Sequence, residues 1–199
     1  MGNIGAVVLA AGASTRLGRP KQLLEINGET LVHSAVRAAL EAGCDAVSLV
    51  TGANREAVER TVNDLHPLIV HNDDWHCGIG SSIRCGVQQI RDCAAVVLLA
   101  CDQPALDADI VRALIDTHKE TGRQIVASRY ANTLGIPALF GRECFAELLC
   151  LPDDRGAKHI LEADPKRIAH IEFPGGELDL DTPADFAAWR ERCSVGAPE

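Results

Sequence analysis

The sequence predicts an α/β fold in three layers, with helices on both faces of a mostly parallel, twisted sheet. Three observations lead there. Short apolar runs alternate with segments of helical periodicity from the amino terminus to Arg129. The run Ala95–Ala100 is apolar at every position, as in a strand buried on both faces, and a Gly-rich loop follows the first run. At 199 residues, of which 47% are hydrophobic and 24% charged, the chain can bury one sizeable core. We expect one domain over residues 1–193, divided functionally into 1–129 and 130–193, and a flexible tail at 194–199.

Taken in order, Ile4–Leu9 reads as a buried strand feeding the loop Ala10–Gly18. Thr30–Glu41 carries Leu31, Val32, Ala35, Val36, Ala39 and Leu40 on helical spacing and stops at Gly43. Ala46–Thr51 and Leu68–His71 read as strands, and Asn54–Asp64 and Ser81–Arg91 as helices. Asp107 caps a helix whose Ile110, Val111, Leu114 and Ile115 form one stripe, followed by a strand through Gln124–Ser128. Beyond Arg129 the rhythm changes. A strand at Gly135–Phe140 precedes short helices at Arg142–Cys150 and Gly156–Ala163, then strands at Ile168–Phe173 and Leu178–Leu180. Thr182 caps the last helix, with Pro183 at its first position and Asp185 at its third. Open α/β sheets bind ligands outside the carboxyl ends of their strands, which points to the segments after Leu9, Val50, Val70 and Ala100.

Nineteen Lys and Arg against 28 Asp and Glu give a net charge of -9, which argues against nucleic acid or an anionic membrane surface as partner. No apolar run approaches the roughly 18 residues of a membrane span, and no secretory leader is visible, so a cytoplasmic location is expected. The eight cysteines form no Cys-x-x-Cys pair and several lie in apolar stretches, as reduced thiols do. Cys77 and Cys101 flank expected site loops, so oxidation there is expected to inactivate the protein. His71 and His76 lack the spacing of metal ligands on a helix and receive no role.

The segment Leu9–Lys21 combines small residues with three cations, Arg16, Arg19 and Lys21. Small side chains let backbone N–H groups approach a polyanion, and the cations supply charge that the acidic chain lacks. Neither a Walker A loop nor a Gly-x-Gly-x-x-Gly fingerprint is present; the plain alternative is a glycine-rich turn with exposed basic residues. Asp102, after the central strand, suits a hard cation bound by oxygen. Asp179 and Asp181, two residues apart on an extended segment, share a face and offer further carboxylates, although Asp181 also precedes a helix dipole.

The pattern Leu9-Ala10-Ala11-Gly12-x-Ser14-x-Arg16-x-Gly18-x-x-Lys21-Gln22-Leu23-Leu24 resembles the signature loop of the MobA-like nucleotidyltransferases. Asn72-x-x-Trp75-x-x-Gly78-x-Gly80-Ser81-Ser82, Cys101-Asp102-Gln103-Pro104 and Asp179-x-Asp181-Thr182-Pro183 are similar to further motifs of that family. The resemblance implies a Rossmann-like nucleotidyltransferase fold, with residues 1–129 holding the nucleotide and 130–193 the acceptor. It implies Leu9, Ala10, Ala11, Gly12, Ser14, Arg16, Lys21, Asn72, Gly80, Ser81 and Ser82 around a nucleoside triphosphate. Arg16, Lys21, Asp102 and Asp181 would be catalytic, with Asp102, Asp181 and Asp179 as Mg2+ ligands. Gly135, Pro137, Asp154, Gly156 and Ala157 would face the acceptor; composition alone makes 153–158 a solvated turn.

The paired Ala10-Ala11 is similar to the cytidylyltransferase branch that acts on molybdopterin, which favours CTP over GTP. That branch implies a molybdopterin-like phosphate acceptor and a molybdenum hydroxylase client for the product. The alternatives are a cytidylyltransferase for a sugar, polyol or choline phosphate, and a non-catalytic carrier of the molybdenum cofactor. Aromatic residues are only 4% of the chain, leaving Trp75, Tyr130 and Phe140 as candidate walls for a flat ligand.

Overall fold

The computed structural model describes residues 2–180 and 182–195. The strands are β1 (Ile4–Ala10), β2 (Glu25–Ile26), β3 (Glu29–Thr30), β4 (Ala46–Thr51), β5 (Leu68–His71), β6 (Ala95–Ala100), β7 (Ile125–Tyr130), β8 (Thr133–Gly141) and β9 (Ile168–Glu172). The helices are α1 (Leu31–Glu41), α2 (Arg55–Thr61), α3 (Ile79–Gln89), α4 (Ala108–Thr121), α5 (Phe145–Leu149), α6 (Lys158–Ala163) and α7 (Pro183–Val195). Seven strands form one sheet in the order β5-β4-β1-β6-β8-β7-β9, and β2 pairs with β3 in a small hairpin. All pairings in the large sheet are parallel except those of β8, which runs against β6 and β7.

Alternation along the central strands builds the layers. Ala6, Val8 and Ala10 of β1, with Val97 and Leu99 of β6, face one side and pack with Val32 and Val36 of α1 and Val111 and Leu114 of α4. Val7 of β1 with Val96 and Leu98 of β6 face the other, against Ile83 and Val87 of α3, Leu148 of α5 and Ile160 of α6. This two-sided burial is why β6 carries no polar residue.

The order of β5, β4, β1 and β6 locates the ligand cleft. The chain leaves β1 toward β4 and β5, then returns through α3 to place β6 on the opposite side of β1. The direction of winding therefore reverses between β1 and β6, where open α/β sheets leave a crevice at the carboxyl ends. Leu9 pairs in register with Ala100 there.

Several expected boundaries shift for local reasons. Helix α3 opens at Ile79 rather than Ser81, because Gly78 at φ 134° turns the chain directly into it. Helix α2 closes at Thr61, and the Arg142–Cys150 helix is divided into a 3-10 turn, Arg142–Cys144, and α5. Gly156 precedes α6 rather than opening it. Leu178–Leu180 is not a strand: Leu180 N–H donates to the Asp102 carbonyl at 3.2 Å, while Asp179 N–H turns back to Glu177. Helix α7 runs to Val195, two residues into the expected tail, and 196–199 lie outside the described residues.

The expected caps hold. Asp107 accepts from Ile110 N–H at 3.0 Å, and Thr182 and Asp185 cap each other's N–H groups. Among the described residues no helix is long and apolar enough to cross a membrane.

A charged cluster ties α1 to its neighbours. Arg37 grips both carboxylate oxygens of Glu29 at 2.8 Å, and His33 bridges Glu29 at 2.5 Å and Asp64 at 3.0 Å. Arg37 holds the Glu29 carboxyl down to about 2, against the opposing effect of burial and with help from His33. Burial opposes the His33 imidazolium, but its hydrogen bonds to Asp64 and Glu29 outweigh that and raise its pKa above 6.5. The imidazolium therefore contributes stability fully below pH 6.5 and loses it as pH rises through the higher folded value. The Tm gap between the unmodified chain and His33→Gln is expected to narrow from about pH 6 to about pH 9. A gap of constant size would remove the charge from this account.

Candidate active site

The loop between β1 and the hairpin is held open by its own side chains. Gln22 is buried, and its amide donates to the Ala10 carbonyl at 3.0 Å and the Gly12 carbonyl at 2.7 Å. Ser14, at φ 55°, accepts from Lys21 N–H at 3.0 Å. These bonds fix the loop as an arch at the carboxyl end of β1, with Gly12 exposed. Lys21 then reaches across the mouth of β6 and donates to the Asp102 carboxylate.

That pair stands on the floor of a 210 Å³ cleft lined by Leu9, Ala11, Gly12, Lys21, Trp75, Gly78, Ile79, Ser82, Ala100 and Asp102. Its far wall is the first turn of α3, whose dipole adds positive potential beside Lys21. Behind this turn, Asn72 is buried and donates to Ser81 Oγ at 2.8 Å and Ser82 Oγ at 3.0 Å. Ser81 in turn donates to the Gly78 carbonyl at 2.7 Å. Asn72 and Ser81 thus brace the wall, whereas Ser82 reaches it.

The segment 152–157 backs the same turn. Gly80 N–H donates to the Asp153 carbonyl at 2.8 Å, and a Cβ on Gly80 would lie 2.0 Å from the Pro152 carbonyl oxygen. Only glycine permits that approach. Gly156 lies beside Ile79, Asp154 is exposed and Ala157 is buried. On the other side, Gln103 amide donates to the Ile136 carbonyl at 3.1 Å and the Gly176 carbonyl at 2.9 Å, fastening the Gly135–Pro137 strip beside Asp102. Burial raises the pKa of the Tyr130 phenol, and the charges of Asp179 and Asp102 add to this.

Leu9, Ala11, Gly12, Lys21, Ser82 and Asp102 therefore meet at one cleft, as the sequence suggests. Ala10 is buried beneath the arch, Ser14 locks it, and Arg16 lies exposed on it. Arg19 is drawn aside, its guanidinium 4.9 Å from the Phe186 ring. Gly80 and Asn72 support the wall, Asp179 is exposed, and Asp181 lies outside the described residues. Cys101 is buried with its thiol pushed up to about 12, so it remains protonated, while Cys77 is exposed.

Sequence reasoning passed over Gln22, Gln103 and Ile79 as site residues, whereas Trp75, a candidate wall for a flat ligand, does line the cleft. Gln22 stands within the quoted loop pattern, and only its burial shows that it organises the loop. Ile79 is 44% exposed at the cleft, a large apolar side chain left for a ligand to cover.

A cation and a carboxylate face each other at the winding reversal, beneath a backbone arch of small residues, an arrangement suited to an anion and a hard cation held side by side. The chain belongs to the MobA-like NTP transferase family, whose domain model matches residues 6–169. It is similar, at 39% identity over 141 residues, to the nicotine blue oxidoreductase of Paenarthrobacter nicotinovorans, covering 70% of this chain and 67% of that one. It is 28% identical over 193 residues to the molybdenum cofactor cytidylyltransferase of Escherichia coli, covering 96% and 98%. The manganese complex of Rv0371c from Mycobacterium tuberculosis superposes with a TM-score of 0.78 at 30% identity, covering 95% of this chain and 98% of that one.

Replacing Gln22 by Leu leaves the Ala10 and Gly12 carbonyls without their donor at nearly constant volume. The expected cost is about 2 kcal/mol, or roughly 4–8 °C in Tm. Differential scanning calorimetry that finds Tm unchanged would mean that water replaces the amide.

Proposed function

We propose that the protein transfers CMP from CTP to the terminal phosphate of molybdopterin, in the cytoplasm, releasing pyrophosphate. The observation that carries this reading is the Lys21–Asp102 pair at the floor of the cleft. On this reading residues 1–129 hold the nucleotide and 130–193 the acceptor. The donor set fits Mg2+: Asp102 is a hard oxygen ligand at the strand end, Asp179 directly precedes Leu180, whose N–H bonds the Asp102 carbonyl, and among the described residues no soft donor lines the cleft. Asp102 would hold the ion with Asp179 and Asp181 as further ligands. When bound, it would supply charge neutralisation on the triphosphate.

Lys21 leaves Asp102 for the phosphates, and Arg16 closes on them from the exposed side of the arch. The backbone N–H groups of Ala11 and Gly12 approach the same oxygens, and Ser82 lies opposite. Trp75 and Ile79 offer the apolar wall against which the base lies, and Ala11 narrows it. An acceptor phosphate oxygen bonds to the α-phosphorus in line as the bond to pyrophosphate breaks. The acceptor phosphate is already ionised at neutral pH, so positioning and charge carry the rate and no general base is needed. The Gly135–Pro137 strip and the 154–157 turn flank the position from which that phosphate would attack.

Kinship over nearly the full length with the Escherichia coli molybdenum cofactor cytidylyltransferase supports this substrate pair. A second reading follows from the 39% identity to the nicotine blue oxidoreductase, in which the same cleft would hold an electron carrier. The loop lacks the Gly-x-Gly-x-x-Gly that a dinucleotide carrier's pyrophosphate uses.

The decisive experiment is thermal-shift titration with CTP, GTP, ATP, UTP and NADPH, each with and without Mg2+, followed by pyrophosphate release with molybdopterin. Mg2+-dependent selection of CTP is expected, with about 2.7 kcal/mol of stabilisation at a hundred times Kd, or roughly 5–10 °C. Selection of GTP or ATP overturns the base assignment, and a response to NADPH alone favours redox chemistry. Pyrophosphate release with a sugar, polyol or choline phosphate instead of molybdopterin overturns the acceptor.

Asp102→Ala is expected to lower kcat at least about a hundredfold. Turnover near that of the unmodified enzyme would take Asp102 out of the reaction.

A further inference from the structure

The turn between β5 and α3 carries a group of side chains that nucleotide transfer does not use. Asp74, His76 and Cys77 are exposed, and their ligating oxygen, nitrogen and sulfur atoms all lie within 4.8 Å of one another. Among the described residues, no hydrogen bond or ion pair engages any of the three side chains; the His76 ring meets only the edge of Trp75, at 6.1 Å.

The backbone beneath them is fixed. Asn72 Oδ1 accepts from Asp74 N–H at 3.0 Å, Ser81 Oγ donates to the Asp74 carbonyl at 3.1 Å, and Cys77 N–H donates to the same carbonyl at 2.9 Å. Convergence of the three ligands is therefore a property of a braced 3-10 turn. Sequence spacing hid it, because His76 finds its companions one and two residues away rather than at His71.

We propose that Asp74, His76 and Cys77 form a binding site for a soft divalent cation, with zinc the best chemical match. One thiolate, one imidazole and one carboxylate are the donor types that zinc takes, and three protein ligands leave a fourth tetrahedral position for water. Tetrahedral zinc holds such donors about 3.2–3.6 Å apart, so closing the site needs side-chain rotation of about 1 Å, which exposed side chains allow. Binding transfers the Cys77 thiol proton to solvent as the sulfur–metal bond forms. Mg2+ does not compete, since it rejects sulfur and prefers oxygen.

The position gives the ion a consequence. Trp75 sits between two of the ligands and lines the nucleotide cleft, so an ion on this turn clamps one wall of that cleft. The site itself stands on the turn's geometry, whatever the cleft binds.

The test is titration of the full chain with Co2+ in excess Mg2+, reading thiolate-to-cobalt charge-transfer absorption, then displacement by Zn2+. One equivalent is expected to give the band. Cys77→Ser should abolish it, His76→Ala should weaken affinity at least tenfold, and the control Cys150→Ser, at the other exposed thiol among the described residues, should change nothing. Circular dichroism of each variant checks the fold. Absence of a thiolate band, its survival in Cys77→Ser, or unchanged affinity in His76→Ala overturns the proposal.

Discussion

The contact between Lys21 and Asp102 is the point on which the rest of the site depends. In the free protein, cation and carboxylate satisfy each other across the mouths of two adjacent strands, which keeps both in place at modest desolvation cost. On the proposed reading, a bound polyphosphate and a cation would each claim one partner of this pair. Its geometry is set from several directions: Gln22 shapes the arch that carries Lys21, and Leu180 N–H holds the carbonyl of Asp102 itself. Loosening either support would move the charges before it moved the core.

The sheet makes that precision affordable because it is packed on both faces. Val97 and Leu98 point to opposite layers and both are fully buried, so β6 has no direction in which to relax. Rigidity ends at Ala100. Beyond it the chain is loop, and function concentrates where rigid strands stop.

Much of this was legible in the sequence because its signals are local. Short apolar runs located Ala46–Thr51, Leu68–His71 and Ala95–Ala100 to the residue, and cap chemistry located α4 and α7. The arch residues and Asp102 were legible from charge and small side chains after a strand. What escaped depends on contacts between distant segments. Gln103 reads as an ordinary turn residue until its amide is found fastening Ile136 and Gly176, residues far along the chain. Leu178–Leu180 has the apolar alternation of a strand, yet its first two N–H groups close local turns onto Gly175 and Glu177. The hairpin Glu25–Thr30 is too short for periodicity to register. Antiparallel β8 likewise cannot be told from a parallel strand by composition.

That reversed strand bears on how such a protein diversifies. Because β8 runs against its neighbours, its beginning, not its end, lies at the edge of the sheet where the parallel strands finish, and it is fed by the two-residue bend Ala131-Asn132, both with positive φ. The parallel strands deliver their site residues into long crossovers that also build the helical layers, so changing them disturbs the whole core. Changes entering through the 131–132 bend disturb only an exposed hairpin tip. The fold thus leaves one bend open to revision while the arch after β1 stays fixed, a division of labour by strand direction.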